Sequence, residues 1–173
     1  MKVITYSSHP EYYNFSKNDH GPALNFYEYG LQNSRGFRAL KVWMALRQIG
    51  RNGYLKTIRE DMELSKLLFL LAENHSELEA ITQSLSITTL RYVPEGYGDK
   101  TDKNETYLNT LNEALLDELQ QAGKVFLSNA IVHHKYCLRG CIVNFRTSKK
   151  DIEEIIEIIV REGKRMHQKL RTK

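Results

Sequence analysis

Cysteine is scarce in this chain: Cys137 and Cys141 are the only two among 173 residues. Two cysteines do not make a disulfide framework, so an apolar core has to hold the fold. No apolar stretch approaches the ~18 residues that a membrane span needs. The first residues, Met1 to Ser8, carry one lysine and no long apolar run, so no signal peptide is visible. The default compartment is therefore the cytoplasm, where thiols stay reduced. There is no long Lys/Arg run, no zinc-finger spacing and no RNA-binding aromatic signature, and nucleic acid is not an expected partner. A P-loop, a dinucleotide fingerprint, HExxH and GxSxG are all missing, which removes the commonest readable catalytic signatures. Internal repeats and low-complexity tracts are also absent.

What is present is an ordinary globular composition. Hydrophobic residues make up 41% and charged residues 27% of the chain, and a chain of this length buries roughly two-thirds of its unfolded surface. The net charge is +4. Much of the excess sits at the end, in Lys164, Arg165, Lys169, Arg171 and Lys173, where positive charge complements a helix C-terminus.

Residues 1–36 differ from the rest. They hold seven aromatics with Gly21, Pro22, Gly30 and Gly36, and no helical period survives. A long arm of this kind is either a functional loop or a segment that packs on something else. From 37 to 49 the pattern turns helical, with Leu40, Val42, Trp43, Met44, Leu46 and Ile49 nearly all round. Such a helix is buried on more than one side. Gly50 and Gly53 are expected to break it, and a second helix is predicted over 54–73. Strands are predicted near 78–82 and 87–93, a loop over 95–104, and a helix over 105–122 with Leu108, Leu111, Leu115 and Leu119 on one face, closed by Gly123. Strands over 124–127 and 136–145 follow. Ser148 is an N-cap with Asp151 three positions on, opening a last helix striped by Ile152, Ile155, Ile156, Ile159 and Val160. The order implies an α+β layer, a mostly antiparallel sheet with helices on one face, preceded by an extended arm. The expected division is 1–36 as arm, 37–74 as connecting helices and 75–173 as the small α+β domain.

Two constellations bear on chemistry. His133, His134, Cys137 and Cys141 are ligand types for zinc. On a strand, His133, Cys137 and Cys141 share a face, but the first and last lie more than ~20 Å apart. One tetrahedral ion cannot reach both without a bend, so the preferred reading is exposed histidines and packed thiols, with no metal. Ser34 precedes a helix, where a hydroxyl and open backbone N–H groups can hold an anion, with Arg35 and Arg38 beside it. The plainer alternative is an N-cap with solvated arginines.

The segment SRGFRALKVWMALRQIG, Ser34 to Gly50, closely resembles the stretch after the active site in group II pyridoxal-phosphate-dependent amino-acid decarboxylases, the aromatic-L-amino-acid decarboxylase-like enzymes of fold type I. LRYVPEG (90–96), YLNTLNEALLDELQQAGKVFLS (107–128) and LRGCIVNFRTSKKDIEEII (138–156) continue the resemblance collinearly. The resemblance implies the end of a large cofactor-binding domain followed by the small C-terminal domain. It implies that Tyr12, in His9-Pro10-Glu11-Tyr12, matches the loop tyrosine that protonates the substrate carbon after carbon dioxide leaves; relatives with phenylalanine there tend to release aldehydes. It implies that Ser34 matches the residue contacting the cofactor phosphate of the neighbouring subunit in an obligate homodimer. Pyridoxal phosphate is expected only together with a missing large domain, because the family's Schiff-base lysine, stacking histidine and pyridine-pairing aspartate have no counterpart here. His134-Lys135 stands in the wrong context, and Gly36 replaces an arginine that many relatives carry. The 173 residues are thus expected to be inactive alone, with the missing large domain or a full-length relative as partner. The rival reading is a non-catalytic α+β binding or regulatory subunit. A second rival is a metal module at His134, Cys137 and Cys141.

Overall fold

A computed structural model of the chain describes residues 36–98, 101–123 and 125–172. The chain divides into two compact units, Met1–Gly50 and Arg51–Lys173. The arm expected over 1–36 lies outside the described residues, apart from Gly36.

In the first unit the described chain is helical from Arg38. Its apolar residues are exposed: Phe37 by 73%, Trp43 by 59% and Val42 by 58%. Helix α1 runs over Arg38–Glu73 in hydrogen-bonding terms, but Gly50 sits at φ 68° and ψ 174°, far from helical values. Only glycine adopts that conformation cheaply. The break falls at the unit boundary. Gly53, also expected to interrupt, lies inside the helix and accepts a hydrogen bond from Thr57 Oγ1 at 3.2 Å.

The second unit holds the part of α1 after Gly50, then β1 (Leu78–Ser84), β2 (Ile87–Tyr92), α2 (Asp102–Ala122), β3 (Ser128–Val132), β4 (Lys135–Cys141) and α3 (Lys149–Arg171). The four strands form one sheet in the order β1-β2-β4-β3, every neighbour antiparallel. The expected α+β class, with helices on one face, is what the chain adopts. Ser65 of α1 bonds Thr88 at 2.9 Å, Leu68 touches Gly140, and Asn112 of α2 and Gly163 of α3 both meet Tyr92. Thr88, Tyr92 and Gly140 share one face of the sheet.

Several boundaries differ from the sequence reading, each for a local reason. Of the strand expected over 124–127, the described residues 125–127 are not a strand. Gln120 Nε2 donates to the Leu127 carbonyl at 2.7 Å, tying that backbone to α2, and pairing begins at Ser128. β4 ends at Cys141 because β2 ends at Ile87, its partner there; Val143 and Phe145 beyond it are 68% and 77% exposed. Helix α2 opens at Asp102, three residues early, with Asp102 and Glu105 placed to favour its positive end. The α3 start is as expected: Asp151 Oδ2 accepts from the Ser148 N–H at 2.7 Å while Ser148 Oγ accepts from the Asp151 N–H.

The β2–β4 ladder stops at Leu90↔Leu138. Past it, α2 supplies the missing partners. Asn112, fully buried, accepts from the Tyr92 N–H at 2.8 Å and donates to the Tyr92 carbonyl at 2.9 Å. One turn earlier, Asn109 accepts from the Tyr136 N–H at 2.7 Å and donates to the His134 carbonyl at 3.0 Å. The Tyr92 ring in turn lies against α3 so closely that a Cβ on Gly163 would stand 2.6 Å from it. Its hydroxyl donates to Glu77 Oε1 at 3.0 Å, and Lys164 pairs with the same carboxylate at 2.7 Å.

Gly163→Ala forces either the ring or the helix to move and costs roughly 1–3 kcal/mol, the range for overpacking a filled core. Urea unfolding measures it; an unchanged midpoint would mean that the Tyr92–α3 contact is not tight.

Candidate functional site

The two residues that the sequence puts forward, Tyr12 and Ser34, both lie outside the described residues. The chain downstream of Ser34 is described: Arg38 N–H bonds the Gly36 carbonyl at 2.8 Å, and Arg38 opens α1. Arg38 is exposed, and the helix has no acidic residue in its first turn to neutralise the positive end.

The sheet face turned away from the helices carries a charge cluster absent from the sequence reading. Arg91 is almost fully buried, its side chain 3% exposed. Its Nε donates to Glu79 Oε2 at 2.6 Å, and its two terminal nitrogens grip Glu105 at 2.8 and 2.9 Å. Lys135 pairs with the second Glu79 oxygen. Register explains the alignment. Glu79 faces Arg91 across the β1–β2 pair, and a bulge between Ala80 and Thr82 lets Thr82 share that face, where its hydroxyl meets Thr89 at 2.7 Å. Burial alone would raise the Glu79 carboxyl. Hydrogen bonds and charge from Lys135 and Arg91 outweigh it and hold the group below the usual carboxylate range. Two cations face two carboxylates, so the cluster is a balanced clamp joining β1, β2, β4 and α2, with no acid or base left over. Beyond Cys137 on this face of β4, Arg139 donates to Ser128 Oγ at 3.3 Å and has no carboxylate partner among the described residues. It keeps positive charge on the sheet surface. The signal in the sequence was an arginine inside the apolar run LRYV, opposite a glutamate one strand back.

The zinc-type residues are distributed differently from a single strand. His133 and His134 form the β3–β4 turn, both with positive φ (50° and 64°), the backbone that a two-residue hairpin requires. Cys137 is buried, its thiol donating to the Lys135 carbonyl at 3.3 Å and pushed above its ordinary pKa by burial, while Cys141 is exposed. Among the described residues, no three His, Cys, Asp or Glu side chains gather to hold a metal. No helix among them is long and apolar enough to cross a membrane.

Every described lysine is exposed except Lys135, whose side chain is 20% exposed and whose ammonium is taken by Glu79. His134-Lys135 belongs to the hairpin. The described residues therefore do not form a site for an aldehyde cofactor, and no chemical step is derived through one.

What fold and clamp define is an α+β domain with one helix-covered sheet face and one polar face, without a self-contained reaction centre among the described residues. The pyridoxal-dependent decarboxylase conserved domain matches residues 3–91, and a PDXDC1-like second central domain matches residues 69–171. The chain belongs to the pyridoxal-dependent decarboxylase family, as the sequence resemblance implies. It is 30% identical over 153 residues to an aromatic-L-amino-acid decarboxylase of Bacillus atrophaeus and 28% identical over 153 residues to tyrosine decarboxylase 2 of Arabidopsis thaliana. These alignments cover 88% of this chain but only 31% and 27% of those relatives. The solved structure of Oryza sativa TDC with PLP and tryptamine superposes with a TM-score of 0.72 over 93% of this chain and 33% of that one, at 21% identity. The chain thus spans about a third of the length of the relatives it matches and shares the fold of that third.

Replacing Arg91 with Met leaves Glu79 and Glu105 without their shared partner and costs about 3 kcal/mol at neutral pH, the low end for breaking a buried pair because both carboxylates keep some solvent. The lowered Glu79 carboxyl sets the pH sense. Its contribution is complete above the ordinary glutamate range and is lost as pH falls through the lowered folded value. Denaturant midpoints of wild type and R91M therefore converge in acid. A gap that is constant from neutral to acid pH would contradict the clamp.

Proposed function

We propose that this chain is the C-terminal portion of a pyridoxal-phosphate-dependent carboxy-lyase acting on an L-amino acid, an aromatic one, and that it is inactive without the cofactor-holding portion. The observation that carries the reading is the collinear match. The decarboxylase domain covers 3–91, and the fold of a tryptamine-bound relative follows 93% of the chain. The cofactor supplies an electron sink for the bond to the carboxylate. The lysine that anchors it is proposed to lie in polypeptide beyond these residues, since none of the described lysines suits that role.

Within this reading the chain brings two groups. Ser34, just ahead of the α1 N-terminus, contacts the cofactor phosphate of a neighbouring subunit in a homodimer, where backbone N–H groups and the Arg38 charge favour an anion. Tyr12 acts as a general acid that delivers a proton to the substrate carbon once its loop shuts out water. The rival, a non-catalytic binding or regulatory subunit, shares the fold and differs in needing no complement.

A chimera separates them. This chain replaces the matching third of the Bacillus atrophaeus enzyme, and carbon dioxide release from aromatic amino acids is assayed. Release is expected, and in aerated buffer, where dioxygen serves as oxidant and ammonia and hydrogen peroxide leave, Tyr12→Phe shifts product from amine toward aldehyde while cofactor content stays constant. A soluble chimera that holds stoichiometric cofactor yet releases no carbon dioxide would overturn the reading.

A further inference from the structure

Between α1 and the segment joining β4 to α3 lies a pocket of about 570 Å³, within the size range of small-molecule sites. Leu64, Leu67 and Leu70 of α1 line one wall and Phe145 the other. Asp61 lies in its wall and is only 9% exposed. Its carboxylate makes no hydrogen bond or ion pair among the described residues and is not sealed away, so it meets solvent through the pocket.

A carboxylate so placed, partly desolvated and without a partner, favours an approaching cation. None of the neighbours serves. Lys66 and Lys149 stand exposed at the rim and form no ion pair among the described residues, and Lys56 is engaged with Glu60 at 3.7 Å. Burial and the adjacent Glu60 both push the Asp61 carboxyl upward, the opposite of what a bound counter-charge does. An anion is disfavoured on two grounds. Glu60, Asp61 and Glu63 all line the pocket, and the α3 N-terminus beside it is closed by its own Ser148–Asp151 cap.

We propose that this pocket binds a protonated organic amine, its ammonium on Asp61 and its apolar body along Leu64, Leu67, Leu70 and Phe145. The site lies wholly in the unit Arg51–Lys173 and does not rest on the decarboxylase reading. Aromatic amines are also what decarboxylation of aromatic amino acids releases, so a probe from that class serves both purposes.

The experiment titrates the purified full chain with tyramine and, separately, with the matching arylpropionate, following backbone amides by heteronuclear NMR with no pyridoxal phosphate present. Saturable shifts confined to residues 57–70 and 145–149 are expected with tyramine, and none with the acid. Asp61→Asn, nearly isosteric, weakens binding at least about tenfold, as loss of a charged hydrogen bond requires. Phe145→Ala, at an exposed position that folding does not depend on, weakens it severalfold. No saturable response to tyramine, or an undiminished one in D61N, overturns the proposal. So does Asp61-dependent self-association of wild type without an amine response, which would hand the carboxylate to a basic side chain of another polypeptide. None of these outcomes depends on the chimera's activity.

Discussion

The second unit depends on how α2 completes a sheet that its own strands leave unfinished. β2 and β4 part after Leu90↔Leu138, which leaves the Tyr92 N–H and carbonyl in the core, the part-buried Tyr136 N–H and the exposed His134 carbonyl without strand partners. Asn109 and Asn112 take them up, the latter with both amide hydrogens used, one on Tyr92 and one on Leu108. A buried backbone group left unpaired costs about 1–3 kcal/mol, and Asn112 satisfies two such groups on Tyr92, so this one asparagine carries a sizeable share of a typical domain's net stability. Glu105, Asn109 and Asn112 recur at helical spacing, four and then three residues apart, and form a polar stripe beside the apolar one. Through it a single helix grips β4, the core face of β2 at Tyr92, and the opposite face at Arg91.

The two faces of β2 then carry separate consequences. Inward, Tyr92 passes the constraint to α3 through Gly163 and to the start of β1 through Glu77. Outward, Arg91 joins β1 and α2 in the clamp with Glu79. Neither arrangement contains a spare acid, base or nucleophile. Asp61 stands apart from this economy, a carboxylate with no partner among the described residues.

Much of the fold was legible in the sequence because its signals were local. The Ser148–Asp151 cap, the isoleucine stripe of α3 and the closing Gly123 each act within a few residues, and all are realised. The errors came where a distant partner decides. Residues 124–127 alternate like a strand in the sequence, yet Gln120 holds the Leu127 carbonyl. Residues 142–145 continue the β4 pattern, yet β2 has already ended. Gly50 and Gly53 look equivalent in sequence, and only the first leaves helical geometry. The clamp was missed because strand register, including a bulge, decides that Glu79 meets Arg91. The leucine stripe of α2 was read while the polar stripe beside it was not, since its partners are backbone groups that only the folded sheet presents. The family came from a specific local motif, SRGFRALKVWMALRQIG, which needs no tertiary knowledge. Tyr12 and Ser34 lie outside the described residues.

The unit Arg51–Lys173 carries its own buried core, whereas the apolar residues just before it are exposed. Phe37, Val42, Trp43 and Met44 are each more than half exposed, whereas Leu90, Leu138 and Ile159 are fully buried. Amide hydrogen exchange on the full chain alone, monomeric and without cofactor, addresses this directly. Slow exchange, at the level of global unfolding, is expected for Tyr92, Leu138 and Ile159, with near-unprotected amides across residues 38–49. Equal protection of both regions in a stable monomer would contradict it and favour the stand-alone binding subunit.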